Sequence, residues 1–379
     1  MAVITERPAD HALSILRKRI GLHLNPFFGG SLEDESLAAI DRMTAPASDE
    51  WVQAFLELSE QWAARAEEAA AARDREKASE AWLHAYDYAH IARYPVMDSE
   101  LSKKAHALSV DRYRKASEYQ PRTSHVDIES SAGTIRGILR MPERTDPAPL
   151  LICVGGLDVW KEELINVVLG PYVSAGFAVL GLDGPGTGES PFAMAPAADA
   201  MWDPVFDWAD TRSTFSAFRS VLGTSFGGYW ATRVAHTNAS RLDAVINHGG
   251  PVHYTFADEW FDHWVDRGEY PTSFARAVAS ATRAIDAETL TERLADLSLL
   301  DSGLLETACA PMLLVNGLFD KTCNPADMEL LLRVGRPKTA RFFAGGHMGF
   351  TPQTARMMVA WLSEQVHARA DHLKAQEVA

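Results

Sequence analysis

Up to Pro121 the apolar positions of the chain recur at helical spacing. Phe55, Leu58, Trp62 and Ala66 fall on one face of a stretch rich in Ala, Glu, Leu and Arg, and Trp82, Tyr86, Tyr88 and Ile91 cluster ahead of Pro95. Apolar positions three or four residues apart are the signature of amphipathic helices, and the prolines mark their ends. A third helix is expected from Ser99 to Tyr119, closed by Pro121. The pattern predicts a helical module over residues 1–122 with no strand.

From Ser124 the period changes. HVDIES and TIRGILRMP alternate apolar and polar positions around Ala132 and Gly133, which predicts a hairpin. Six short runs follow that are apolar nearly throughout: PLLICVGG, FAVLGLDG, RSVLGTS, DAVINHGG, PMLLVNG and ARFFAGG. Strands of that kind are buried on both faces, as in a parallel sheet covered by helices. Helices are expected between them at Lys161–Ala175, Asp203–Ala217, Phe226–His236, Pro325–Val334 and Pro352–Ala370. The interval from Pro251 to Ala310 is too long for one crossover and opens on the aromatic-rich HYTFADEWFDHWVDRGEY. It is expected to be a helical insertion over the carboxyl edge of the sheet. The fold class is therefore α/β, a mostly parallel central sheet flanked by helices. The expected organisation is a helical cap module at 1–122, a core at 123–250 and 306–379, and a helical lid at 251–305.

Composition narrows the function. With 47% hydrophobic and 23% charged residues, the 379-residue chain can bury a sizeable core. Its formal net charge of −15 repels phosphate backbones and anionic lipid, so neither nucleic acid nor a membrane is expected as partner. The three cysteines, Cys153, Cys309 and Cys323, form neither a disulfide framework nor a metal motif, and no metal is expected. The N-terminal segment has no apolar signal core, and no apolar run approaches the roughly 18 residues of a membrane-spanning helix. A cytoplasmic protein acting on a small molecule is the expectation.

Gly223-Thr224-Ser225-Phe226-Gly227 is a G-x-S-x-G sequence between an apolar strand and a helix. Small flanking residues let the backbone turn sharply at the serine, whose hydroxyl then stands above the sheet edge. A serine hydroxyl needs a base to become a nucleophile, and the base needs an orienting carboxylate. In chain order those partners should follow strand ends. Asp320 follows PMLLVNG, and His347 follows ARFFAGG through a Gly345-Gly346 turn. Each has a plainer alternative: Asp320 as the N-cap of the next helix, His347 as a loop histidine, Ser225 as a helix N-cap. The coincidence of three placements favours a Ser225, His347, Asp320 triad. The amides of Phe226 and of Leu157, in the loop after PLLICVGG, are the expected oxyanion donors. Gly156, Asp158, His253, Glu259 and Trp260 are candidates for the substrate pocket; His248 and His253, which flank Gly249-Gly250-Pro251 near the sheet edge, could line it or equally be structural, and the charges of the insertion could be solvated. Gly184–Ser190 lacks the Lys-Ser/Thr ending of a phosphate loop and reads as a tight turn.

With these residues in hand, the chain resembles the α/β-hydrolases. More narrowly, it resembles the group that holds dihydroxypseudooxynicotine hydrolase, the fungal polyketide-shortening hydrolases and the fermentation–respiration switch esterase-like proteins. The matching segments are GGLDVWKEE, LDGPGTGES, GTSFGGYWATR, GLFDKTCNP and AGGHMGF. The resemblance implies a serine hydrolase without a cofactor, whose helical N-terminal module helps to cap the site, often as a homodimer. It implies cleavage of a carbon–carbon bond next to a ketone in an aromatic or polyketide-type substrate, assisted in some relatives by a further acidic residue, for which Glu259 is the nearest candidate. Carboxylester hydrolysis, acyl transfer or cyclisation, and a non-catalytic binder on a hydrolase scaffold are the alternatives. Relatives usually carry a longer Asp/Pro turn where this chain has Phe215–Arg219.

Overall fold

The computed structural model describes residues 9–21, 32–43, 49–94, 97, 99–257, 260, 274–335 and 338–378. They fall into two compact units. One holds the described residues of Ser124–Gly268 and Ala281–Ala379, the other those of Val3–Thr123 and Glu269–Ser280. The segment expected as a single insertion at 251–305 is thus divided between the two.

The helical unit contains α1 (Ala9–Gly21), α2 (Glu33–Ile40), α3 (Asp49–Ala71), α4 (Arg75–Ala92) and α5 (Glu100–Ser117). Its main core gathers Trp51, Phe55, Tyr88, Ile91 and Tyr94. Between α3 and α4 the packed residues are mostly alanines, Ala63, Ala66, Ala81 and Ala85, so the backbones can approach closely. Asp74 caps α4 by accepting from Lys77 N, and Ser99 and Ser102 form a capping box on α5. Three large side chains of this unit anchor it through polar atoms: Trp51 Nε1 donates to Ile91 O at 2.9 Å, and Trp62 Nε1 and Tyr88 OH both donate to Glu35 Oε2 at 2.8 Å.

The other unit is built on an eight-stranded sheet: β1 (Thr123–Ser130), β2 (Gly133–Arg140), β3 (Ala148–Val154), β4 (Ala178–Leu182), β5 (Phe215–Thr224), β6 (Ala244–His248), β7 (Met312–Gly317) and β8 (Lys338–Phe343). The spatial order is β1-β2-β4-β3-β5-β6-β7-β8. Strands β4, β3, β5, β6, β7 and β8 are parallel, and β2 joins β4 antiparallel. Every residue of β3, β4, β6 and β7 is buried, which is why these strands read as continuous apolar runs. The edge strand β8 is only partly covered.

Two expected helices are corrected. The helix placed at Asp203–Ala217 spans only Trp202–Asp210, and Phe215–Arg219 is the first half of β5. Phe215 and Phe218 mimic a helical face, but pairing across the sheet decides: Ala148 registers with Phe215 and Leu150 with Arg219. The helix placed at Lys161–Ala175 is a helical turn at Lys161–Glu163, a π-helical segment at Leu164–Val168 and a short helix at Gly170–Ser174. Gly170-Pro171 forces the restart, because the proline has no N–H to continue the ladder. In the insertion, described residues form helices at Phe274–Thr282 and Ala287–Asp296. Of its aromatic opening beyond Ala257, Trp260 alone lies within the described residues. No helix among them is long and apolar enough to cross a membrane.

Candidate active site

β5 ends at Thr224, and a helix runs from Phe226 to Thr237, so Ser225 occupies the whole turn between them. Its backbone sits at φ 53, ψ −128, a conformation that costs a non-glycine residue about 1–3 kcal/mol. The glycines make that turn feasible. A Cβ on Gly223 would lie 1.9 Å from Gly227 O, and one on Gly227 would lie 2.2 Å from Val154 O. The strained residue is tied down by its own peptide groups: Ser225 N donates to His248 O at 2.8 Å, and Gly228 N donates to Ser225 O at 2.7 Å.

The other two expected residues reach this hydroxyl. His347 Nε2 lies 2.8 Å from Ser225 Oγ, and His347 Nδ1 lies 2.9 Å from Asp320 Oδ2. Asp320 is buried, and its second oxygen accepts from the amides of Thr322 at 2.8 Å and Cys323 at 3.0 Å. The alternative for Asp320, the N-cap of the next helix, is not met: that helix, Ala326–Arg333, has Pro325 at its N-cap, and the carboxylate instead closes the turn at Thr322 and Cys323. Burial by itself would raise this carboxyl, but the charge of His347 and hydrogen bonds from His347, Asn316 and Cys323 outweigh it and hold it below the ordinary carboxylate value. An ionised carboxylate on Nδ1 fixes the tautomer that leaves Nε2 free to accept a proton. The arrangement can therefore deprotonate Ser225.

The loop after β3 runs directly over the serine: a Cβ on Gly156 would stand 2.8 Å from Ser225 Cβ and 3.1 Å from its Oγ. Leu157 follows, its carbonyl accepting from Trp160 Nε1 at 2.9 Å. Phe226 begins the twelve-residue helix, whose N-terminal amides favour negative charge.

Behind this loop lies a buried ionic cluster. Lys161 Nζ meets Glu162 Oε1 and Asp183 Oδ2 at 2.8 Å each and Glu189 Oε2 at 3.0 Å. Asp183 also accepts from the amides of Lys161 and Glu189, so one carboxylate joins the GGLDVWKEE segment to the LDGPGTGES segment. Burial raises the Glu162 carboxyl, whereas Asp183 is held low against burial by the lysine charge. Gly184–Ser190 is a turn, as expected, with Thr187 N and Thr187 Oγ1 both bonded to Gly184 O. The carboxylates of Asp183 and Glu189 at its two ends are unsuited to phosphate.

The pocket candidates fare differently. Gly156 lies against Ser225, and Asp158 is buried in the same loop. His253 is engaged by Ser298 Oγ at 2.8 Å and lies 3.6 Å from Asp301. Trp260 Nε1 donates to Thr322 O at 3.2 Å, two residues beyond Asp320. Glu259 lies outside the described residues. Asp320, Cys323 and His347 place potential metal-ligating atoms within 4.8 Å of one another. The first and last already face each other in a hydrogen bond, and burial with the charges of Asp320 and Asp327 pushes the Cys323 thiol well above its ordinary value. The set is better suited to holding a proton than a cation.

Two residues escaped the sequence reading. Asn316 donates to Asp320 Oδ2 at 2.9 Å and accepts from Gly317 N and Met348 N. Asp327 accepts from the amides of His253, Tyr254 and Thr255 and from the Thr255 hydroxyl, fixing the loop after β6. A polar residue ending an otherwise apolar strand, as in PMLLVNG, was the available signal for the first.

The family model described as "Esterase FrsA-like" matches residues 38–335, most of the chain. The chain belongs to the FrsA-like esterase family. Esterase FrsA of Photobacterium profundum is 25% identical over 300 residues, covering 76% of this chain and 68% of that protein. Esterase FrsA of Escherichia coli O1:K1 / APEC is 29% identical over 271 residues, covering 67% and 63%. This FrsA-like chain thus spans about two thirds of the length of those curated relatives. The crystal structure of 2,6-dihydroxy-pseudo-oxynicotine hydrolase superposes with a TM-score of 0.74 over 93% of this chain and 94% of that one, at 21% identity. At that identity the likeness is one of fold, the α/β-hydrolase fold.

Proposed function

We propose that this FrsA-like protein is a serine hydrolase that cleaves a carboxylic ester through an acyl-enzyme on Ser225. His347 takes the hydroxyl proton as Ser225 attacks the ester carbonyl, and Asp320 stabilises the imidazolium. The amides of Leu157 and Phe226 hold the tetrahedral oxyanion, each donor contributing about 3–4 kcal/mol in comparable sites. His347 gives the proton to the departing alkoxide. Water, deprotonated by the same imidazole, then releases the acid.

One observation carries this reading: the unbroken chain from Asp320 Oδ2 through His347 to Ser225 Oγ, with steps of 2.9 and 2.8 Å. Family membership supports the ester as the bond attacked. Carbon–carbon cleavage, expected from the resemblance, would use the same nucleophile. It must also release a carbanion, which needs conjugation and a proton donor on the leaving side. Glu259, the residue expected to help there, lies outside the described residues. The experiment is to incubate the protein with a panel of aryl esters and of aromatic 1,3-diketones and identify products by mass spectrometry. Ester hydrolysis lost in Ser225→Ala is expected. Turnover of diketones alone would replace the ester by a carbon–carbon bond, and undiminished turnover by Ser225→Ala would overturn the reading.

A further inference from the structure

His347 follows the half-covered edge strand β8, so its placement does not come from the strand alone. The residue after it, Met348, has φ 65, the left-handed region that a side chain disfavours. Both polar groups of this residue are gripped from the sheet. Met348 N donates to Asn316 Oδ1 at 2.9 Å, and Met348 O accepts from His248 Nε2 at 2.8 Å. Asn316 and His248 are both fully buried, near the carboxyl ends of the adjacent strands β7 and β6. Each also holds a second part of the site: Asn316 Nδ2 donates to Asp320, and the His248 carbonyl accepts from Ser225 N.

We infer that His248 and Asn316 are positioning residues for the reaction, clamping the Met348 peptide so that His347 stands in register with both Ser225 and Asp320. This inference rests on the serine-hydrolase reading above. A carbonyl only accepts, so His248 Nε2 carries the hydrogen. His248 Nδ1 is then a buried acceptor that has no hydrogen-bond partner among the described residues. A half-satisfied polar side chain is a poor choice for stability alone. Its use lies in the other nitrogen, which no apolar side chain can replace. Burial, opposed by the bond to Met348 and reinforced by the nearby charge of His347, pushes the His248 imidazole down to about 4, so it stays neutral and keeps this tautomer at neutral pH.

The test compares His248→Gln, whose amide N–H can stand near the position of Nε2, with His248→Asn, whose shorter amide cannot reach Met348 O, and with His248→Leu. Hydrolysis of p-nitrophenyl acetate, melting temperature and the proton NMR signal of the His347–Asp320 hydrogen bond are measured for each. The Gln variant should stay within about threefold of wild-type kcat. The Asn and Leu variants should lose about 10–100-fold in kcat with KM nearly unchanged, the range typical when a supporting group misplaces a catalytic one. Their downfield proton signal should shift or broaden, and the Leu variant should melt no lower than the Asn variant. Equal kcat for Gln and Asn, or an unshifted signal in folded Asn variant, would overturn the clamp. Ser225→Ala runs alongside: if it retains hydrolysis, the hydrolase reading fails, while the NMR comparison still decides whether His248 positions His347.

Discussion

Asp320 shows how much one side chain can be asked to do. Its carboxylate closes the turn through Thr322 and Cys323 and faces His347 at 2.9 Å, and the charge of His347 with the hydrogen bonds it collects holds it below the ordinary carboxylate value in spite of burial. Asp320→Asn would keep an oxygen for the turn amides but can offer Nδ2–H to His347 Nδ1, favouring the tautomer with the hydrogen on Nε2. The protein should remain folded while kcat for a p-nitrophenyl ester falls by about 10³–10⁴-fold, as expected when the base holds the wrong tautomer. A loss below tenfold in a folded variant would mean that Asp320 serves the turn alone. These roles were readable from sequence because Ser225, Asp320 and His347 each sit just beyond an apolar run flanked by glycine. Asn316 was not, and His248 was legible only as a histidine near the sheet edge, since the part each plays depends on which strands lie side by side, and the order β6-β7 next to the His347 loop is a property of the folded sheet.

At the scale of elements, strand identity was legible wherever burial on both faces left a continuous apolar run, as in β3, β4, β6 and β7. It failed at the start of β5, where Phe215 and Phe218 are spaced like a helix and long-range pairing with β3 overrides local preference. It failed again after Lys161, where a π-helical segment interrupts a pattern that reads as one helix. The Lys161 cluster anchors the start of the latter region: a single ammonium joins carboxylates from two segments in the interior. Lys161→Met would leave the buried carboxylates of Glu162 and Asp183 without their cation, while Glu189 keeps Arg136 at 3.5 Å. Removing one partner from a buried ionic group typically costs about 3–5 kcal/mol. A fall of that order in urea unfolding free energy is expected, partly recovered by adding Glu162→Gln. A change under about 1 kcal/mol would show that the cluster is internally neutralised by protons, of which Glu162 would hold the first.

For the whole molecule, acid should be destabilising well before the carboxylates titrate. His236 and His248 are buried, and burial lowers each from 6.5 to about 4. In that window the unfolded chain binds more protons than the folded one, so their contribution is complete above about pH 6.5 and is lost as pH falls toward 4. Glu162 and Asp327, raised by burial, act in the opposite sense. The histidine share is therefore best isolated with His236→Phe, away from the site, which should flatten the pH dependence of the urea midpoint between 6.5 and 4. An unchanged slope would contradict it. The claim on which the molecule's function turns is the meeting of the ends of β5, β7 and β8, where Ser225, Asp320 and His347 follow their strands. It is tested most directly by treating wild-type protein and His347→Gln with a fluorophosphonate and mapping the modified peptide. One adduct, on Ser225, formed at least about 10³-fold faster in the wild type, is the predicted result. A wild-type protein that stays unlabelled, or a Ser225 that reacts equally fast without His347, would contradict it.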